Sequence, residues 1–439
     1  SDIKIIDGVT LGHNLLIINS ENLEEATQPS VKENSALVYN GEIYDVDHSE
    51  ELDTQWLHRT LDSKGLDALN DTNGQWAFAY LKENFLYLGR DHFGAKPLYY
   101  SITPKGLIFS STTKAILETG VVSSEMGEEF TEFKMSSYFQ CGRATTFKHI
   151  HKLAPGEWLK FDVEENKIST RGNFWEGYNI SKKEPYDHFE FRTKVLEAIY
   201  STCRTSQEMS LLLSGGLDST LIASILGLSN TENFFCATLT YDKDKKLDSN
   251  PLQAMINEVD LAKITTEEYD INHLISVFPA EQSAIDEYAH KCLNVAGAVY
   301  EDSYRMIPRM YILEKIKKKG GKVVLNGDGG DEIFTGYNKH RDWLEPGKKP
   351  TVKDASNAIK KYNVAEWFPM EVFKGSDPLT ALMFIDVLTQ CETYLMRADA
   401  FCGSLGMESR SPFLYQDLVK YTFHIPLATK LQFRDSSRK

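Results

Sequence analysis

Two glycine-rich turns, SGGLDST (Ser214 to Thr220) and NGDGGDE (Asn326 to Glu332), constrain the fold of this 439-residue chain more than any other feature. Each follows an aliphatic run, LLL before the first and VVL before the second, and each opens a segment with helical spacing. A short buried strand, a tight turn and a helix make one βα unit. The sequence around them repeats that unit. HFEFRTKVLEAIYSTC reads as helix, SLLL as strand, DSTLIASILGL as helix and FFCATLTY as strand. PLQAMINEVDLA follows as helix, KITTEEYDI as strand, RMIPRMYILEKIKKKGG as helix and KVVLNG as strand. Strands alternating with helices in this way imply right-handed crossovers and a parallel sheet. Beyond residue 350 the pattern is mainly helical.

The first part, to about residue 180, has another texture. ALVYNGEIYDV, QWAFAYLKENFLYLGRD, PLYYSITPKGLIFSS and EWLKFDVEENKIST alternate or run apolar over strand lengths, separated by Asn, Gly and Pro. LDTQWLHRTLDSKG reads as a helix closed by Gly65. This half is expected to be mostly antiparallel sheet, joined to the second by the linker SKKEPYD at 181–187.

Composition narrows the function classes. The net charge of −15, with no Lys/Arg-rich arm, argues against nucleic acid or an anionic membrane as the main partner. The one basic run, KIKKKGGK, reads as a solvated helix end with a glycine cap. No stretch reaches the roughly 18 apolar residues of a membrane span, and no signal peptide is visible. Cys141, Cys203, Cys236, Cys292, Cys391 and Cys402 form no CxxC pair, so reduced thiols in a cytoplasmic protein are expected.

A glycine turn between strand and helix presents backbone N–H groups and the positive helix end to an anion. SGGLDST adds the hydroxyls of Ser214, Ser219 and Thr220, but it lacks the lysine of GxxxxGK[ST] and is not GxGxxG. Asp218 would repel a bare phosphate, so a divalent cation between them is implied. Mg²⁺ takes one or two carboxylates plus phosphate oxygens. The second turn brings Asp328, Asp331 and Glu332 to the corresponding edge of the same sheet. Together the turns predict a magnesium–pyrophosphate clamp.

At this point the residues resemble a known family. SGGLDST is similar to the pyrophosphate loop of ATP pyrophosphatases. With NGDGGDEIFTGY and GMESRSPFL (406–414) it resembles the synthetase domain of the asparagine synthetase family. ALVYNGEIYD, LGRDHFGAKPLYY and LAPGEWLKF resemble that family's N-terminal class II glutamine amidotransferase domain. The resemblance implies an antiparallel N-terminal-nucleophile-type sandwich over 1–180 and a parallel α/β ATP-pyrophosphatase domain with a helical C-terminal part over 188–439. It also implies the chemistry: ATP adenylates a carboxylate, pyrophosphate leaves, and ammonia or an amine attacks the acyl-adenylate.

Carried over by motif, Ser214, Gly215, Gly216, Leu217, Asp218 and Ser219 would hold pyrophosphate. Asp218 and Asp331 would bind Mg²⁺. Leu212, Ala237, Asn326 and Gly327 would line the adenosine and α-phosphate side. Asp328 falls where asparagine synthetases carry an acid and β-lactam synthetases a tyrosine, and would steer ammonium and accept a proton. The alternative for Asp328 is an N-cap. Lys439, in TKLQFRDSSRK, aligns with a late catalytic lysine that would stabilise the developing negative charge; the alternative is a surface lysine. The family continues past this point, so the chain is expected to be cut short there. The resemblance leaves a homodimer open.

The first half departs from the family pattern. A working glutaminase uses residue 1, a cysteine, as nucleophile, whereas SDIKIIDGVTLGHNLL resembles the family only from a point well inside its N-terminus. Asn40 and Gly41 would form the oxyanion hole. Leu15, in LGHNLLIINS, stands where LGHxRLSIxD carries the arginine that binds the glutamine carboxylate. Gln75, in NGQWAF, replaces the aspartate of GDFAF that would hold the amino group. Losing both charges removes the ionic grip on a zwitterion, so glutamine is not expected to be a good substrate.

Four readings follow. The first is an AMP-forming ligase making asparagine from aspartate and ammonia. The second is a tailoring ligase of the β-lactam synthetase type, acting on another carboxylate. The third is a non-catalytic scaffold, against which Asp218, Asp328 and Asp331 survive together. The fourth, thiolation of nucleic acid, lacks a suitable cysteine pair and a basic face.

Overall fold

A computed structural model describes residues 2–6, 8–18, 26–47, 51–127, 142–241, 258–279, 281–296, 303–342 and 348–432. The chain divides into two compact units: Ser1–Ser201, Gly329–Met396 and Phe413–Lys439 form one, Thr202–Asp328 and Arg397–Pro412 the other.

The first unit opens with a hairpin, β1 (Asp2–Ile6) and β2 (Val9–His13). Strands β3 (Ser30–Lys32) and β4 (Ser35–Ile43) are followed by α1 (Asp53–Lys64), then β5 (Gly74–Lys82) and β6 (Phe85–Arg90). Next come β7 (Tyr99–Thr103), β8 (Gly106–Ser110), α2 (Thr113–Glu118), β9 (His151–Lys152), β10 (Glu157–Asp162), β11 (Lys167–Asn173) and α3 (His188–Thr202). The main sheet has the order β11-β10-β6-β5-β4-β3, all antiparallel, and a second sheet runs β8-β7-β9.

Period-two alternation explains how the main sheet is covered on both faces. Ala36, Val38, Ala77, Ala79 and Leu81 point to one side, where Leu98 and Tyr100 of the β7 region pack. Leu37, Tyr39, Trp76, Phe78 and Tyr80 point to the other, against Leu57 and Leu61 of α1. As expected, α1 ends at Gly65, whose φ of 74° is cheap only for glycine.

The second unit is built on β12 (Met209–Leu212), α4 (Leu217–Leu228), β13 (Phe234–Tyr241), α5 (Glu258–Glu268), β14 (His273–Phe278), α6 (Gln282–Ala296), α7 (Ser303–Lys319) and β15 (Val323–Leu325). After it the chain forms α8 (Gly330–Phe334), α9 (Asn338–Asp342), α10 (Val352–Lys361), α11 (Pro378–Asp386) and α12 (Glu392–Ser404). Strand β16 (Glu408–Arg410) returns to the second unit, and α13 (Gln416–His424) and α14 (Leu427–Gln432) complete the described chain. The sheet order is β14-β13-β12-β15-β16, parallel throughout. Chain order therefore runs outward from β12 through β13 to β14, then returns to its other side at β15. That reversal makes the carboxyl ends of β12 and β15 a topological switch point, where ligands bind in open α/β sheets.

KITTEEYDI is not a strand. Its first part lies in α5, where Val259, Ala262, Thr265 and Thr266 are buried at helical spacing, and burial outweighs the β-branched run. The strand comes later, as HLISVF. The basic run ends α7 at Lys319, with Gly320 at φ 105°. Among the described residues no helix is long and apolar enough to cross a membrane. Cys203, Cys236, Cys292, Cys391 and Cys402 are free and buried, and Cys141 lies outside the described residues.

Candidate active site

Residues Leu213 to Gly216 join β12 to α4. Gly215 has φ 80°, a left-handed conformation that favours glycine, and Gly216 caps the helix in an extended conformation. Ser214 and Ser219 brace the turn. The Gly216 N–H donates to Ser214 Oγ at 3.2 Å, the Ser214 N–H donates to Ser219 Oγ at 3.3 Å, and the two hydroxyls are 3.2 Å apart. Helix geometry gives the first-turn N–H groups of Leu217, Asp218 and Ser219 no intrahelical acceptor. Asp218 is half-buried in that first turn, while Leu217 is 83% exposed. On the neighbouring strand, Leu213 N–H donates to Ala237 O at 2.9 Å, so Leu212, which ends β12, lies beside Ala237 in the middle of β13.

The second turn leaves β15, which pairs with β12 through Met209–Val323, Ser210–Val324 and Leu211–Leu325. Asn326 is its hub and is buried. Its Nδ2 donates to Ser409 Oγ at 3.0 Å, and its Oδ1 accepts from Ser411 Oγ at 2.8 Å and from the Asp328 N–H at 3.0 Å. The GMESRSPFL segment therefore acts as a buttress, with Arg410 buried against Glu408 and the carbonyls of Thr202 and Arg204. Gly327 lies against the first loop: a Cβ there would stand 3.1 Å from Asp218 Cβ and 3.5 Å from the Ser219 nitrogen.

Asp328 is not an N-cap. The cap of α8 is Gly329 in the left-handed region, without a side-chain bond. The Asp328 carboxylate instead meets Arg309, Nη2 to Oδ2 at 3.3 Å. Arg309 carries no motif, and only its place on α7 beside the turn reveals it. Asp331 is half-buried in the first turn of α8, and Gly336 N–H donates to its carbonyl at 2.8 Å. A Cβ at 336 would come within 1.6 Å of Asp331 Oδ1, so a side chain there would displace the Asp331 carboxylate. Glu332 stands apart from a metal-binding role: it is buried and accepts a hydrogen bond from Tyr337 Oη at 2.6 Å.

The donor set fits magnesium. No group of three or more His, Cys, Asp or Glu residues able to hold a metal exists among the described residues. Asp218 and Asp331 supply one carboxylate each, and Mg²⁺ needs only one or two when phosphate and water supply the rest.

In the first unit, Asn40 and Gly41 lie near the end of β4, with Gly41 paired to Trp76 and Glu42 to Gln75 across β5. Gly41 has φ 150°, and a Cβ there would sit 2.1 Å from the Gln75 carbonyl oxygen. Gln75 is buried; Leu15 follows β2 and is half-buried. Lys439 lies outside the described residues.

Comparison with known proteins agrees with these features. The family description "Asparagine synthase" matches residues 190–436, and "Glutamine amidotransferase domain" matches 1–175. Asparagine synthetase [glutamine-hydrolyzing] 3 of Bacillus subtilis is 25% identical over 479 residues, covering 96% of this chain and 75% of that protein. Asparagine synthetase B [glutamine-hydrolyzing] of Escherichia coli is 25% identical over 457 residues, covering 97% and 69%. Amidase chyE of Penicillium rubens is 23% identical over 372 residues, covering 76% and 52%. The protein is thus of the carbon–nitrogen ligase class. It belongs to the asparagine synthase family.

Proposed function

We propose that this chain is an ATP-dependent, AMP-forming amide ligase whose default reaction converts aspartate and ammonia into asparagine. The observation that carries this reading is the placement of SGGLDST and NGDGGD on adjacent parallel strands at the switch point, with Gly327 against Asp218. Ser214, Gly215, Gly216, Leu217, Asp218 and Ser219 hold the departing pyrophosphate through N–H groups and hydroxyls. Leu212, Ala237, Asn326 and Gly327 line the adenosine and α-phosphate side. Asp218 and Asp331 are the carboxylates for Mg²⁺, which when bound offsets the charge of the phosphates. Asp328 accepts the proton released as nitrogen attacks, and Lys439 stabilises charge on the adenylate.

Residues 1–180 are read as an amidotransferase-like domain that does not use glutamine, and 188–439 as the synthetase domain. Asn40 and Gly41 are then a vestigial oxyanion hole, because Leu15 and Gln75 offer no ionic grip on the amino acid. The same two residues favour a second reading, a tailoring ligase of the β-lactam synthetase type acting on another carboxylate.

The test is pyrophosphate release from ATP with and without L-aspartate, with asparagine measured from ammonium. Stimulation by aspartate is expected, and aspartate having no effect would remove it as the acyl substrate. Asp218→Ala should abolish pyrophosphate release; release at the wild-type rate would discard the clamp.

A further inference from the structure

The Asp328–Arg309 pair is incomplete in a way that a stabilising ion pair is not. Its one contact, Nη2 to Oδ2 at 3.3 Å, is long for a charge-assisted bond and uses a single donor of a guanidinium that carries five. Arg309 Nε is buried and has no hydrogen-bond partner among the described residues. Yet the two side chains stay 24% and 21% exposed, so the pair is partly open to solvent. Asp328 is oriented from behind by its own N–H, held at 3.0 Å by Asn326 Oδ1. Only Oδ2 is engaged; Oδ1 accepts no hydrogen bond among the described residues. A partly exposed, single-point pair contributes little stability. It does leave Oδ1 as the carboxylate oxygen not engaged among the described residues.

We propose that Arg309 is a positioning residue for Asp328, and that the pair favours binding of a neutral amine or ammonia, rather than ammonium, beside the carboxylate. The inference rests on the assignment of Asp328 as proton acceptor made above. A bare carboxylate attracts any cation. With a guanidinium on Oδ2 the local charge sums to zero, so an ammonium ion gains nothing there. A neutral nitrogen needs only an acceptor for its proton, and Oδ1 supplies one. As the lone pair forms the C–N bond with the acyl carbon, one N–H proton passes to Oδ1. The acyl C–O bond breaks with its electron pair on the phosphate oxygen, and AMP leaves.

The experiment uses the whole chain with ATP, L-aspartate and ammonium chloride, comparing Arg309→Met, Arg309→Lys and Asp328→Asn. Pyrophosphate release reports activation, and asparagine formation reports attack. Arg309→Met is expected to leave pyrophosphate release within about twofold and to lower kcat for amide formation about 10- to 100-fold, part of what a general base contributes. It should also lower KM for ammonium, because the uncovered carboxylate now attracts the cation. Arg309→Lys should restore kcat. A merely structural role would reduce both half-reactions together without the opposed shifts of kcat and KM. That result, or an Arg309→Met variant with unchanged kcat and KM, overturns the proposal. Failure of the underlying reading shows separately, as full amide formation by Asp328→Asn with Arg309 intact.

Discussion

Replacing Gly336 with alanine should displace the Asp331 carboxylate while leaving the chain folded. The added Cβ would lie 1.6 Å from Oδ1, 2.5 Å from Cγ and 2.8 Å from Cα of Asp331. Non-bonded contacts settle near 3.5 Å, so the shortfall is about 1.9 Å at the carboxylate and about 0.7 Å at the backbone. Rotation about χ1 relieves the first, at the cost of carrying the carboxylate away from its position. The second needs a backbone shift that stretches the 2.8 Å bond from Gly336 N–H to Asp331 O. Overpacking of this kind costs about 1–3 kcal/mol. Gly336 is exposed, which places the cost at the low end, and melting should fall by only a few degrees, about 2–4 °C per kcal/mol. Misplacing a catalytic group by about 1 Å can cost roughly 100-fold, so ATP-dependent pyrophosphate release should drop by at least about that factor. Gly327→Ala is the control: its Cβ would meet Asp218 Cβ at 3.1 Å, a gap closed by a few tenths of an ångström, and its loss should be far smaller. The assay is pyrophosphate release alongside a thermal melt. Wild-type release from Gly336→Ala with a near-normal melt would refute the role given to Asp331.

Glu392 Oε1 meets Arg90 Nη1 at 2.8 Å and Lys152 Nζ at 2.6 Å, and all three side chains are buried. Glu392→Ala should therefore cost about 3–5 kcal/mol by removing the carboxylate between two buried cations; an unchanged urea midpoint would contradict this. His58 is buried between Ser30 Oγ at 2.8 Å and Ser35 Oγ at 2.9 Å, and burial lowers its pKa from 6.5 to about 4. Its folded value lies below its unfolded one, so its contribution is whole above pH 6.5 and is lost as pH falls toward 4, at up to about 1.4 kcal/mol per pH unit. Replacing His58 with Gln should flatten urea-monitored stability over that window, and a wild-type slope in the variant would exclude His58 as its source. Combining Leu15→Arg with Gln75→Asp should raise glutamine affinity in calorimetric titration, while glutamate released from glutamine by the full-length protein would count against the reading of both residues.

The residues that could be read in advance are those whose backbone conformation is the most constrained. SGGLDST and NGDGGD announce themselves because a tight strand-to-helix turn admits few residues, and Gly215 at φ 80° shows why. The alternating strands of the first half were legible for a similar reason: a sheet covered on both faces writes both faces into one sequence, as Val38 and Tyr39 do. What escaped depended on partners distant in the chain. The β-branched KITTEE favours a strand locally, and only the burial of Val259, Ala262, Thr265 and Thr266 makes it a helix. Arg309 belongs to no motif, and its meaning arises from Asp328, nineteen positions away and brought to it by the passage from α7 to β15. The same holds for Ser409 and Ser411, ordinary hydroxyls until Asn326 lies between them. The loops thus identify the reaction class, whereas the proposed positioning of Asp328 rests on a long-range pair.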